Sequence, residues 1–169
     1  MRCCRRREVT LTDRITRVCE AAAEIANAMA PIEIDGVEYT MLGLAVPPPK
    51  IDTASVPMLF PLTGSATNNW ITGGSDSNRE TRQFQLHVPV LPKGAGIPDE
   101  PEKRCRTIIE AVNDNFASYP KLNGCLGVEM ATVLGDSGII TLPNYEGWVG
   151  FITRLQVVLF LHRTFAPGE

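Results

Sequence analysis

The stretch Trp148 to Phe165, WVGFITRLQVVLFLHRTF, constrains the fold more than any other part of the chain. Phe151, Leu155, Val157, Leu159 and Leu161 occupy alternating positions, so a strand here directs all five to one face of a sheet. The opposite face carries Arg154, Gln156 and His162, interrupted by Ile152, Val158 and Phe160. At about 1.5 to 3 kcal/mol for each large side chain fully buried, the apolar face offsets a substantial share of the entropy lost in ordering the segment. The pattern predicts a long strand near the middle of a sheet. At about 3.3 Å per residue, it is long enough to project past its neighbours.

The apolar face of such a strand needs a cover, and two helical patterns supply one. From Thr12 to Ala30, Ile15, Val18, Cys19, Ala22, Ile25, Ala26 and Met29 recur at three- and four-residue spacings. Thr12 is the expected N-cap, Asp13 suits the positive end of the helix dipole, and Pro31 ends the run. A second helix is predicted from about Pro101 to Tyr119, with Cys105, Ile108, Ile109, Val112, Phe116 and Tyr119 as its stripe. Asp99 or Glu100 stands where its cap belongs, and Pro120 closes it.

Between the helices, Asp35 and Gly36 mark a hairpin-like turn or a tight link within Ile32 to Tyr39. Tyr39 to Val46 reads as a strand broken by Pro47, Pro48 and Pro49, and SVPMLFPL as a short strand suited to a sheet edge. Thr63 to Asn78, rich in Gly, Ser, Thr and Asn, reads as a long loop holding Trp70 and Ile71. Trp70 either anchors a partner or folds back on its own domain. Glu80 to Leu91 alternates, with Phe84, Leu86, Val88 and Val90 on one side and Gln83, Gln85 and His87 on the other, as a half-buried strand does. After the second helix come a segment from Val128 to Leu134 and a turn at Gly135 to Gly138.

This order predicts an α+β fold: a mostly antiparallel β-sheet with two amphipathic helices packed on one face, and a long inter-strand loop. A length of 169 residues suits a single domain over 11–169, preceded by a flexible basic arm over 1–10. The second face of the sheet is left for solvent or for another copy of the chain.

Sixteen basic and nineteen acidic side chains, a formal charge of −3, leave no general basic footprint for nucleic acid. The longest uncharged apolar run, Leu155 to Leu161, is far short of a membrane span, and no apolar run follows the N-terminal arginines, so neither membrane insertion nor secretion is expected. The five cysteines, Cys3, Cys4, Cys19, Cys105 and Cys125, form no CxxC pair and suit reduced thiols in a cytoplasmic compartment. Phosphate-loop, HExxH, GxSxG and dinucleotide motifs are lacking; Gly94 and Gly96 are followed by Pro98 and no third glycine. His87 and His162, each on the polar side of a strand, are candidates for a general base or metal ligand, or else structural or solvent-facing. Asp99, Glu100 and Asp114 suit capping or solvated positions. No cofactor, metal site or enzymatic activity is expected.

An N-terminal amphipathic helix, a proline-rich bend (VPPPKIDTASVPMLF) and a strand-linker-helix unit (FQLHVPVLPKGAGIPDEPEKRCRTIIEAVNDNF) follow one another. Then come YPKLNGCLG and a closing NYEGWVGFITRLQVVL, in which Tyr145, Gly147, Trp148, Gly150 and Phe151 lead into the final strand. This succession resembles the tail terminator (tail completion) proteins of long-tailed bacteriophages over most of the chain, as an order of elements and loose motifs. The resemblance implies a non-enzymatic virion protein assembled in the host cytoplasm. Such a protein forms a ring, commonly a homohexamer, that caps the head-proximal end of the tail tube, stops its polymerisation and meets the neck. The implied partners are other copies of the chain, the tail tube protein, a head-tail connector (stopper) protein, and genomic DNA passing through the lumen without sequence readout.

On this basis Asn68, Asn69, Trp70 and Ile71, with Arg79 and Arg82 behind them, are the expected contacts to a neighbouring subunit or the tube. Arg2, Arg5, Arg6 and Arg7 are the expected contacts to the neck. A sister neck protein of similar topology shares most of these features. A small cytoplasmic enzyme or ligand-binding domain is the alternative of another class, and it requires His87, His162 and Asp136 to converge on one pocket.

Overall fold

A computed structural model describes residues 11–70, 77–95 and 100–162. The N-terminal arm with Arg2, Arg5, Arg6 and Arg7, together with Ile71 and Asp99, lies outside them. The chain runs through helix α1 (Leu11–Asn27), strands β1 (Ile32–Ile34), β2 (Val37–Tyr39) and β3 (Leu42–Gly43), a 3-10 turn (Thr53–Ser55) and strands β4 (Met58–Trp70) and β5 (Ser77–Pro92). Helix α2 (Glu100–Ala117) and strands β6 (Val128–Asp136), β7 (Ile140–Thr141) and β8 (Trp148–His162) complete it. The fold is α+β. The main sheet has the order β3-β4-β5-β8-β6, antiparallel except where β3 runs parallel to β4, and β7 adds to β8.

The final run is the central strand that its alternation predicts. Phe151, Leu155, Val157 and Leu159 are buried, while Arg154 is exposed and Ile152, Gln156, Val158 and Phe160 are half-buried on the other face. On β5 next to it, Phe84, Leu86 and Val88 join the same core, and both helices close over it with Val18, Ala22, Ile25, Ala26, Cys105, Ile108, Val112 and Phe116. The two helices therefore share one face. Cys19 and Cys105 are packing residues within it, and burial pushes the Cys105 thiol up to about 11. Asp35 and Gly36, both with positive φ, turn β1 into β2 as a two-residue hairpin.

Four expectations are corrected. Most of the Thr63 to Asn78 stretch is strand rather than loop: β4 continues to Trp70 and pairs with Ser77–Pro92 up to Trp70 opposite Asn78. Cross-strand pairing overrides low strand propensity here, and a register shift between Thr63 and Ala66 absorbs the irregular sequence. Tyr39 to Val46 contributes only Leu42–Gly43 to the sheet, because the chain leaves for the prolines after Leu44 donates to Leu59 O. Helix α1 already includes Leu11, so Thr12 lies inside its first turn and is not the cap. The second face is not wholly bare: at one end Ile51, Met58 and Phe60, with Leu44, Val56, Tyr145 and Trp148, form a small second core.

Pro61 and Pro89 fit their strands for local reasons. Pro61 stands just beyond the reach of β3, where β4 becomes an edge, and Pro89 adjoins a register shift against β8. Gly150, opposite Pro89, allows a close approach to β5, since a Cβ there would lie 2.0 Å from Val88 O.

Candidate functional site: an open sheet face and a strand hairpin

Register assigns the uncovered face row by row, because directly opposed residues in an antiparallel pair share a side. Leu62, Gln85 and Arg154 form one row, and Gln83, Gln156 and Thr132 the next. Thr67, Thr81, Val158 and Met130 follow, then Arg79 and Phe160. Gln83, Gln85, Arg154, Thr132 and Met130 are exposed, and Leu134 continues the face at 44% exposure. The surface is broad and mixed, apolar along β6 and rich in amides and hydroxyls toward β4. Such composition suits a wet protein contact more than a cleft for a small molecule.

The β4–β5 hairpin extends this face beyond the main core. Ser65, Ala66 and Thr67 are consecutive and all exposed, so β4 has water on both sides there. From Leu62 onward its outer edge has no strand partner among the described residues, and Leu62 to Trp70 carries no charge to discourage pairing.

The residues singled out by sequence fall at different places on this arm. Asn68, Asn69 and Trp70 end β4, paired with Glu80, Arg79 and Asn78. Arg79 lies on the open face, where it is ion-paired to Glu129 of β6 at 2.7 Å with both side chains partly exposed. Arg82 lies on the helix face instead. It binds Glu80 Oε1 at 2.6 Å, the carboxylate being 2% exposed, and Arg14 of α1 lies near enough for Glu80 to raise its pKa, against the larger lowering by burial. Arg14 also donates to Phe160 O at 2.9 Å, which ties the start of α1 to β8. Arg79 and Arg82 thus do not form one basic patch. Sequence reasoning set Gln83 and Gln85 on the polar side of their strand without offering them as contacts, and it missed Thr132, Met130 and Leu134, whose parity relative to Ala131 is the signal that finds them.

His87, His162 and Asp136 do not converge. His87 sits opposite Ile152 on β8 and His162 opposite Ser77, ten residues further along, about 33 Å at strand rise. Asp136 is on the helix side, where it accepts from Asn113 Nδ2 at 3.1 Å and Gly138 N at 2.8 Å, while Asn113 Oδ1 accepts from the buried Thr153 hydroxyl at 2.9 Å. His87 faces the other side and is 1% exposed, so of the structural and solvent-facing positions open to it, it takes the structural one. An open depression beside α2 is lined by Glu102, Arg106, Ile109, Glu110, Asp136 and Ile139. Among the described residues, no three His, Cys, Asp or Glu side chains are grouped to hold a metal ion, and no helix is long and apolar enough to cross a membrane. No protein-family model matches the chain, and no curated protein is detectably similar to it.

Proposed function

We propose that this protein is a structural subunit of a phage virion, a tail terminator that forms a ring, as a homohexamer, on the head-proximal end of the tail tube. The ring ends tube polymerisation and joins the tail to the neck, and genomic DNA passes through it without sequence readout. The observation that supports this reading is the pairing of an uncovered, mixed sheet face with a projecting strand hairpin that has an uncharged free edge. Helices seal one side of the sheet, so contacts to other chains fall to the other side and to the arm. Contacts between unlike patches of identical subunits are heterologous and close into a ring when the rotation permits. In this reading the tip of the β4–β5 hairpin, with Asn68, Asn69 and Trp70, reaches a neighbour or the tube, and the arm with Arg2, Arg5, Arg6 and Arg7 reaches the neck connector.

Electron microscopy of a phage lysate lacking this gene tests the proposal. Filled heads without tails, beside free tubes of uncontrolled length, are expected, and a plasmid copy restores normal particles. Detached tails of normal length beside finished heads would move the protein to a neighbouring neck role, and normal infectious virions would remove the structural reading. Trp70→Ala should leave the monomer folded and reduce tube capping several-fold, as loss of an aromatic anchor does. Unchanged capping would take Trp70 out of the contact.

A further inference from the structure

We propose that segment 44–57 is an acid-sensitive strap: protonation of His87, sealed beneath this end of the second sheet face, releases the strap and bares the aromatic cluster around Phe60. The proposal is independent of the virion reading. Phe60 and His87 are directly opposed in the β4–β5 pair and their rings stack at 5.7 Å and 22°. Phe60 is fully buried and His87 is 1% exposed. A ring on a sheet surface reaches that burial only under a cover, and the chain packed on this end consists of 44–57, through Leu44, Ile51 and Val56, and of Tyr145 and Trp148.

The histidine is held in a setting that accommodates the neutral ring only. Nε2 is 3.3 Å from Gln85 Oε1, and Nδ1 has no hydrogen-bond partner among the described residues. An imidazolium has two donors, so protonation would strand a second charged N–H among apolar groups. Burial is the one influence that moves the His87 pKa, and it lowers it. The charged and titratable groups of the surrounding elements are Lys50 and Asp52 on the strap, Tyr145 and Glu146 before β8, and Arg154 on β8. Lys50, Asp52, Glu146 and Arg154 are exposed, Tyr145 donates its hydroxyl to Pro48 O, and among the described residues no carboxylate pairs with the ring.

The strap is the part able to yield. Its ends are tied by Leu42 N to Pro57 O at 3.1 Å and Leu44 N to Leu59 O at 2.8 Å. Between them the one backbone hydrogen bond is Ser55 N to Asp52 O, inside the 3-10 turn. Ala45 packs on the main core beside its first tie, and among the described residues Ile51, Val56 and the Tyr145–Pro48 bond hold its middle. Segments with few backbone ties open well below the cost of global unfolding. The linkage has a definite sign. The closed state binds the His87 proton less tightly than the open state, so closure is complete above the ordinary histidine value of 6.5 and weakens as pH falls below it.

Hydrogen exchange followed by mass spectrometry on the full chain, corrected for intrinsic rates, reads the opening directly. Between pH 7.5 and 5 the opening constant of peptides covering 44–57 should rise by up to about tenfold per pH unit below about 6.5, while peptides in α1, α2 and β8 keep their protection. His87→Gln should flatten the strap profile, and Ile51→Ala should raise strap exchange already at pH 7.5. A flat wild-type profile, an undiminished slope in His87→Gln, or opening of the strap only together with β8 would overturn the proposal. If His87→Gln does not fold, the wild-type profile and Ile51→Ala decide.

Discussion

Arg79 and Arg82 are three residues apart on one strand, and that spacing puts them on opposite faces with different energetic roles. The Arg79–Glu129 pair is partly exposed on both sides, so solvent screens it, and Arg79→Met should change stability by less than about 1 kcal/mol. Arg82→Met leaves the Glu80 carboxylate, at 2% exposure, without its direct partner, and should destabilise by about 3 kcal/mol or more. Urea denaturation of the two variants side by side checks the contrast, and equal losses would contradict the assignment of faces. The parity of the two arginines was legible from the alternation around Phe84. Their partners were not, because Glu129 comes from a strand fifty positions away and nothing local marks the Glu80 carboxylate as buried. His87 was likewise placed on the correct face by alternation, but its burial depends on a proline-rich return whose path no local pattern reveals.

The elements themselves were legible where one side of each meets the core. The stripes of α1 and α2 and the alternation of β5 and β8 all record burial on one side and water on the other, which is what periodicity measures. The far half of β4 has water on both sides at Ser65, Ala66 and Thr67, so it carries no such record, and only its pairing with β5 makes it a strand. The junction of β5 and β8 offers a sharp test at this level. Gly150→Ala would push a methyl group to 2.0 Å from Val88 O and 2.9 Å from the Val88 carbonyl carbon, so the strands must separate. A loss of about 1–3 kcal/mol is expected. Gly147→Ala, with open space around the added methyl, should leave the melting temperature nearly unchanged. The glycine spacing of Gly147 and Gly150 was visible from the start, but only the register against β5 separates the position that tolerates a side chain from the one that does not.

At the scale of the molecule, β8 is the strand on which the main sheet depends. It is bonded along most of its length to β5 on one side and to β6 and β7 on the other, and its inward residues fill the centre of the core. Its central amides, around Leu155 and Val157, should be the last to exchange, at the global unfolding free energy, with those of the β1–β2 hairpin and the outer half of β4 exchanging earlier. Exchange of β8 ahead of α1 would show that the helices, not the sheet, hold the domain together. The same placement bears on synthesis. A ribosome makes β5 and β6 well before it makes the strand that belongs between them. For that interval the edge of β5 away from β4 and the edge of β6 that is to meet β8 stay unsatisfied beside an apolar flank, the condition under which nascent sheets mispair or aggregate. A messenger broken or stalled ahead of Trp148 therefore yields a product that exposes the flanks of its missing centre, one that proteases and chaperones have reason to seize, whereas a stall past His162 releases a chain that already holds every described strand.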